Sequence, residues 1–147
     1  YFNVFGPRQD PTSQYSGVVS RFISALLGND TPMIFGDGEQ SRYFTYIDNV
    51  VAANLSAADS PGASGKVINV ANGERITLNQ LLEVLKDLTG KHDVNAEYAP
   101  ARLGDVKHSL ADNTMARDLL GYEVKVGLRE GLQRTIEWWK TSRFANS

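Results

Sequence analysis

Hydrophobic positions switch period repeatedly along this chain. Residues 1–5, Tyr1-Phe2-Asn3-Val4-Phe5, are aromatic and β-branched and stop at Gly6-Pro7, which predicts a buried strand. Residues 8–16 are polar, contain Pro11 and read as a loop. Val18, Val19, Phe22, Ile23, Leu26 and Leu27 follow at helical spacing and end at Gly28, which predicts an amphipathic helix. Met33-Ile34-Phe35 is a short apolar piece, and Gly36-Asp37-Gly38 turns the chain after it. Residues 42–47 read as extended, and Asp48 can cap a helix carrying Val50, Val51, Asn54, Leu55 and Ala58. Residues 60–65 are small and predict a loop.

Val67, Ile68 and Val70 make residues 66–71 a second candidate for a buried strand, closed by Asn72-Gly73. Thr77-Leu78-Asn79-Gln80 has the capping-box spacing ahead of Leu81, Leu82, Leu85 and Leu88, and Gly90 ends that helix. Val94, Ala96 and Tyr98 alternate as in a half-exposed strand. Residues 100–111 have no period and predict a long loop. Asp112 or Asn113 can cap a short helix ending at Gly121. A last helix carries Leu128, Leu132, Ile136 and Trp139 on one stripe. Strands alternating with helices give an α/β class with parallel pairing. Two buried strands do not make a doubly wound sheet, because each needs neighbours on both sides. The expectation is a partial Rossmann-type parallel sheet, its last strands only, plus a small α/β lobe. The opening apolar run, with no Met or leader before it, reads as the inside of a larger protein.

At 147 residues, 41% hydrophobic and 22% charged, the chain has the composition of one ordinary folded domain. The net charge of −2 supplies no global field for nucleic acid, although a local basic pocket is compatible with it. Without cysteine there is neither disulfide nor thiolate metal site, and with only His92 and His108 no metal site is expected. No apolar run approaches the roughly 20 residues of a membrane span, and no signal peptide is visible. A cytoplasmic protein with no membrane partner is the resulting expectation.

Three arginines attract attention: Arg8, Arg42 and Arg102. Guanidinium forks match phosphate oxygens, and two from separate segments can clamp a diphosphate. Asp105, three positions after Arg102, can hold the vicinal hydroxyls of a ribose. Each arginine taken singly reads first as a solvated charge or the partner of a nearby acid, and spacing alone does not decide otherwise. Gly17-Val18 opens the first helix, where free N–H groups suit an anion, though an ordinary helix start looks the same. Met33-Ile34-Phe35 can flank a flat base or pack as an apolar edge. His108 beside Ser109 lacks a third group for nucleophilic chemistry.

Five stretches in order carry a resemblance. They are residues 1–9 (Tyr1-Phe2-Asn3-Val4-Phe5-Gly6-Pro7-Arg8-Gln9), 36–42, 46–50, 69–73 and 102–109. Together they resemble the sugar-nucleotide epimerases and dehydratases, the extended branch of the short-chain dehydrogenase/reductase superfamily. Within it the Phe-Gly-Pro-Arg-Gln-Asp-Pro loop looks most like the UDP-glucose and UDP-N-acetylglucosamine 4-epimerases. The resemblance implies that residues 1–147 are the C-terminal portion, which binds a UDP-sugar and works with an N-terminal half that holds NAD. It implies that Asn3 contacts the sugar or diphosphate, that Gly17 and Val18 lie near the pyrophosphate, and that Met33, Ile34 and Phe35 flank the uracil. Arg42 and Arg102 would hold phosphates, Asp105 the ribose, and Leu78 would touch the nucleotide. Tyr1 and Phe2 would lie near the nicotinamide. Members are often homodimers, through helices of the other half.

No Gly-rich dinucleotide fingerprint occurs, and no tyrosine is followed four positions later by lysine, the family's proton relay. The chain by itself is therefore expected to be inactive and to hold NAD weakly. A free-standing non-catalytic nucleotide-sugar module, or part of a sister dehydratase or decarboxylase, stays open as an alternative. Uracil is not distinguished from thymine.

Overall fold

The computed structural model describes residues 1–13 and 17–142. The loop expected over residues 8–16 therefore falls partly outside the described residues, at 14–16. Six short strands and five α-helices follow in the order β1 (Val4–Phe5), α1 (Val18–Gly28), β2 (Met33–Phe35), β3 (Ser41–Tyr43), β4 (Thr45–Tyr46) and α2 (Ile47–Asp59). After a 3-10 turn at Pro61–Ala63 come β5 (Arg75–Thr77), α3 (Leu78–Thr89), β6 (Glu97–Ala99), α4 (Thr114–Leu120) and α5 (Leu128–Ser142).

The strands pair in twos among the described residues. β1 runs parallel to β4, β2 runs parallel to β6, and β3 runs antiparallel to β5. The expected mixed α/β class with parallel pairing is what forms. The main core lies between α1, α3, α5 and the strands. Phe22, Ile23 and Leu26 of α1 meet Leu81 and Leu85 of α3 and Leu132, Ile136 and Trp139 of α5. The apolar stripes of these three helices are buried as their spacing predicts. A second, smaller cluster joins Ala53 of α2 to Val70, Ala116 and Tyr122.

α3 shows how local sequence sets a boundary. Thr77 accepts from the Gln80 backbone N–H while the Gln80 side chain accepts from the Thr77 N–H, which closes the capping box. At the other end Gly90 takes a left-handed conformation and returns its N–H to Lys86 O.

Several expectations are corrected. The strand over residues 1–5 shrinks to Val4–Phe5, because Asn3 adopts φ 41 and turns the backbone. Residues 66–71 form no strand. Val67 is 92% exposed, and the backbone groups of Ala71 go to side chains instead of a ladder. Asn113 donates to Ala71 O and accepts from Ala71 N, and Tyr122 also donates to Ala71 O. Asn113 is thereby drawn away from capping α4, where Asp112 accepts the Thr114 N–H instead. Asp48 does not cap α2 but sits in its first turn, paired with Arg134. Val51 and Leu55 face outward, and the buried face of α2 is Asn49, Val50 and Ala53. Strand β5 has no apolar alternation to announce it. It forms because Arg42 and its neighbours on β3 offer an antiparallel partner.

Candidate functional site

The first wall of the site is α1. Its buried stripe anchors the helix, which leaves Val18, Arg21 and Ala25 on the flank that lines a cleft of about 470 Å³. Gly17 is the N-cap, extended at φ −66 and ψ 161, with no side-chain cap and no acid in the first turn. The first turn of the helix thus carries no acid of its own to offset its positive end.

The second wall is β2. Alternation along the strand buries Ile34 in the core and turns Met33 and Phe35 to the cleft. The turn that follows uses positive φ at Gly36 and Gly38. An ideal Cβ at Gly38 would lie 2.0 Å from Asn79 Oδ1, so only glycine lets the turn approach α3. Asn79 donates to Asp37 O and to a Glu39 carboxylate oxygen, and its N–H bonds Gly38 O. The Glu39 N–H donates to the Asp37 carboxylate, which with nearby Lys107 holds its pKa below the ordinary value despite some desolvation. Behind the turn, the Gln40 amide donates to Phe35 O at 2.5 Å.

The third wall is the long loop over residues 100–111, which a seam on β3 pins down. Ser41 N–H donates to Lys107 O, Ser109 N–H donates to Ser41 O, and Ser41 Oγ meets His108 Nδ1 at 2.8 Å. This seam is the role of His108 and Ser109 in the fold. Arg42 reaches along the seam to Ser41 O and Lys107 O and forms an ion pair with Asp105. Arg102 folds back so that its guanidinium lies 3.9 Å over the Phe35 ring.

Eight sequence-selected residues therefore share one cleft: Asn3, Val18, Met33, Phe35, Arg42, Leu78, Arg102 and Asp105. Asn3 is held there by its side-chain bond to Tyr43 O. Four others lie elsewhere. Ile34 is only 1% exposed, and its side chain faces the core. Gly17 lines a smaller adjoining cavity with Asn3 and Val18. Phe2 packs edge-on against Tyr43. Tyr1 bonds Asn54 at the rim of a separate groove of about 530 Å³ beside α2. That groove carries Lys66 and Asp59 but gathers no arginine. Sequence reading missed Arg21, Thr31 and Gln40, which also line the cleft. Arg21 had a legible signal, since it stands three positions after Val18 on the same helical face. Thr31 and Gln40 had none.

A dinucleotide cradle is a different matter. Gly36 and Gly38, the glycine pair nearest to such a motif, turn from one strand into another, and the start of α3 beside them is already occupied, because the Leu78 and Asn79 N–H groups donate to Gln40 O and Gly38 O. The described residues thus do not fit a dinucleotide pyrophosphate at that loop. No helix among the described residues is long and apolar enough to cross a membrane.

A mixed α/β chain with two parallel strand pairs and one antiparallel pair packed with helices, and one cleft gathering three arginines, is the class these observations define. Residues 1–71 match the model of the NAD dependent epimerase/dehydratase family. A UDP-glucose 4-epimerase of Mycolicibacterium smegmatis is 40% identical over 138 residues, which is 94% of this chain and 43% of that protein. The crystal structure of UDP-glucose 4-epimerase with UDP-glucose from Thermotoga maritima superimposes with a TM-score of 0.91 at 44% identity, over 97% of this chain and 45% of the other. The UDP-N-acetylglucosamine 4-epimerase of Methanobrevibacter ruminantium, in complex with UDP-N-acetylmuramic acid, gives 0.88 at 42%, over 96% and 44%. Decarboxylases and a dehydratase of sugar nucleotides match as well. The match to the NAD dependent epimerase/dehydratase family thus covers residues 1–71, and the whole chain, similar to these sugar-nucleotide enzymes throughout, spans less than half of their length.

Proposed function

We propose that this chain is the sugar-nucleotide-binding portion of an NAD-dependent UDP-sugar 4-epimerase, working in the cytoplasm with a separate NAD-binding portion. The observation that carries the reading is the convergence of Arg42, Arg102 and Asp105 with Phe35 and Met33 in one cleft. Arg42 and Arg102 hold the diphosphate through charge-assisted bonds. Asp105, already fixed by Arg42, turns its second oxygen to the ribose hydroxyls. Asn3, together with Gly17 and Val18 at the start of α1, receives the sugar and pyrophosphate end.

The base lies along β2. In the parallel β2–β6 ladder, Pro32 and Gly36 bond toward β6, which turns the peptide groups of Met33 and Phe35 to the opposite edge. That edge, with the Phe35 ring beside it, suits a flat uracil, and Leu78 closes over it. Tyr1 and Phe2, away from this cleft, lie toward the nicotinamide in the same reading. The bound NAD supplies hydride exchange at the sugar. The chain described here contributes binding and orientation and is inactive alone.

Calorimetric titration of the chain with UDP tests the proposal. Weak binding is expected, with affinity falling about tenfold or more in Arg102→Ala, the size of one lost charge-assisted bond. Arg102 is exposed, so the variant keeps its fold. Absence of heat, or an unchanged affinity in Arg102→Ala, refutes the site.

A further inference from the structure

Arg21 is a half-buried cation that lines the cleft, and among the described residues no carboxylate forms an ion pair with it. Each neighbouring cation has a counterpart. Arg42 is held by Asp105 and two carbonyls, Lys107 faces Asp37, and Arg102 rests on the Phe35 ring. Among the described residues the Arg21 guanidinium has neither an ion pair nor a side-chain hydrogen bond. Residues 14–16, just ahead of its helix, are Gln14, Tyr15 and Ser16 and supply no acid either.

Partly desolvating a cation without a partner is unfavourable. A long exposed arginine escapes that cost by snorkelling into water. Arg21 instead sits on the face of α1 that forms the cleft wall, one turn beyond Val18. The same helix end lacks both a side-chain cap and an acid in its first turn, so its dipole adds to the positive potential. Three guanidinium groups thus face a single carboxylate in this cleft, within a chain whose net charge is −2. The missing negative charge has to come from the occupant.

We propose that Arg21 is a further ligand-binding residue, whose guanidinium takes an anionic oxygen of the nucleoside diphosphate and makes the cleft discriminate against uncharged nucleosides. The assignment rests on the nucleotide-sugar reading above and extends it to a residue that the family resemblance did not mark. Arg42 gives part of its fork to Asp105 and two carbonyls and adds fewer donors to the diphosphate, so Arg21 and Arg102 are the cations with most donors to spare.

The test titrates UDP and uridine into the 147-residue chain as wild type, Arg21→Gln, Arg21→Lys and Arg102→Ala, with circular dichroism and thermal melting as the check on folding. Glutamine has nearly the helix propensity of arginine, so α1 persists. Arg21→Gln is expected to weaken UDP about tenfold while uridine changes less than about twofold. Arg21→Lys keeps the charge without the fork and is expected to bind UDP between wild type and Arg21→Gln. UDP binding unchanged in Arg21→Gln, with Arg102→Ala weakened, overturns this assignment and leaves the nucleotide reading standing. Equal losses for UDP and uridine mean a packing role and overturn it as well. A wild-type chain that binds no UDP overturns the parent reading and this one with it.

Discussion

Gly131 lies inside α5, where a glycine ordinarily weakens a helix by about 0.8–1.0 kcal/mol relative to alanine. Propensity alone therefore says that Gly131→Ala stabilises the protein. The structure reverses that sign. A Cβ built on Gly131 falls 2.8 and 2.9 Å from two carbons of the Tyr46 ring and 3.0 Å from Phe5 Cζ. Both rings are buried, at 4% and 2% exposure, and they pack edge-to-face at 5.6 Å. Neither can rotate aside without disturbing the other, or without moving β1 and β4, which carry them. Overpacking of this kind costs about 1–3 kcal/mol. Contacts this short with two fixed rings belong in the upper half of that range, about 2–3 kcal/mol, so after the propensity gain the net loss is about 1–2 kcal/mol. For a chain of this length that lowers the melting midpoint by about 3–6 °C. Urea unfolding followed by far-UV circular dichroism measures it. Gly127→Ala, where a Cβ meets open space, serves as the control and is expected to shift stability by less than about 1 kcal/mol. A Gly131→Ala protein as stable as the parent, or more so, would refute the argument that the rings are fixed.

Two further outcomes are expected. Asn113→Ala removes both side-chain bonds to Ala71 and strands a buried N–H, so a loss of about 2–4 kcal/mol is expected, whereas Tyr122→Phe leaves Ala71 O still bonded by Asn113 and costs about 0.5–1.5 kcal/mol; equal losses in urea melts would contradict this ordering. Asp112 has its pKa lowered, first by the Thr114 side chain and then by the Thr114 N–H, so its contribution to α4 is present above the ordinary carboxylate pKa and fades as pH falls from about 4 through the lowered folded value. Acid titration should therefore destabilise wild type more than Asp112→Asn over that interval, and parallel curves would show that the carboxylate does no such work.

The helices and their ends were legible in the sequence because their signals are local. The Thr77–Gln80 box, the glycines at positions 90 and 121, and the stripe from Leu128 to Trp139 each lie within a few turns of chain, where 3.6-residue periodicity and capping chemistry act. The cleft was legible only in part. The types of Arg42, Arg102 and Asp105 announced their chemistry, and resemblance to a family placed them in one site. Spacing alone did not, because the contacts that join them span more than 60 positions.

What only the tertiary structure decided is where backbone polar groups find partners. Residues 66–71 have the composition of a buried strand, yet Ala71 is satisfied by the side chains of Asn113 and Tyr122, and Val67 is left in water. Arg75–Thr77 has no strand pattern, yet it pairs because β3 is beside it. Pairing and solvation depend on neighbours remote in sequence, so composition fixes the candidates and the assembled chain chooses among them. The same holds for Arg21. Its charge was written in the sequence, but its lack of a counter-ion became visible only once the walls of the cleft had closed around it.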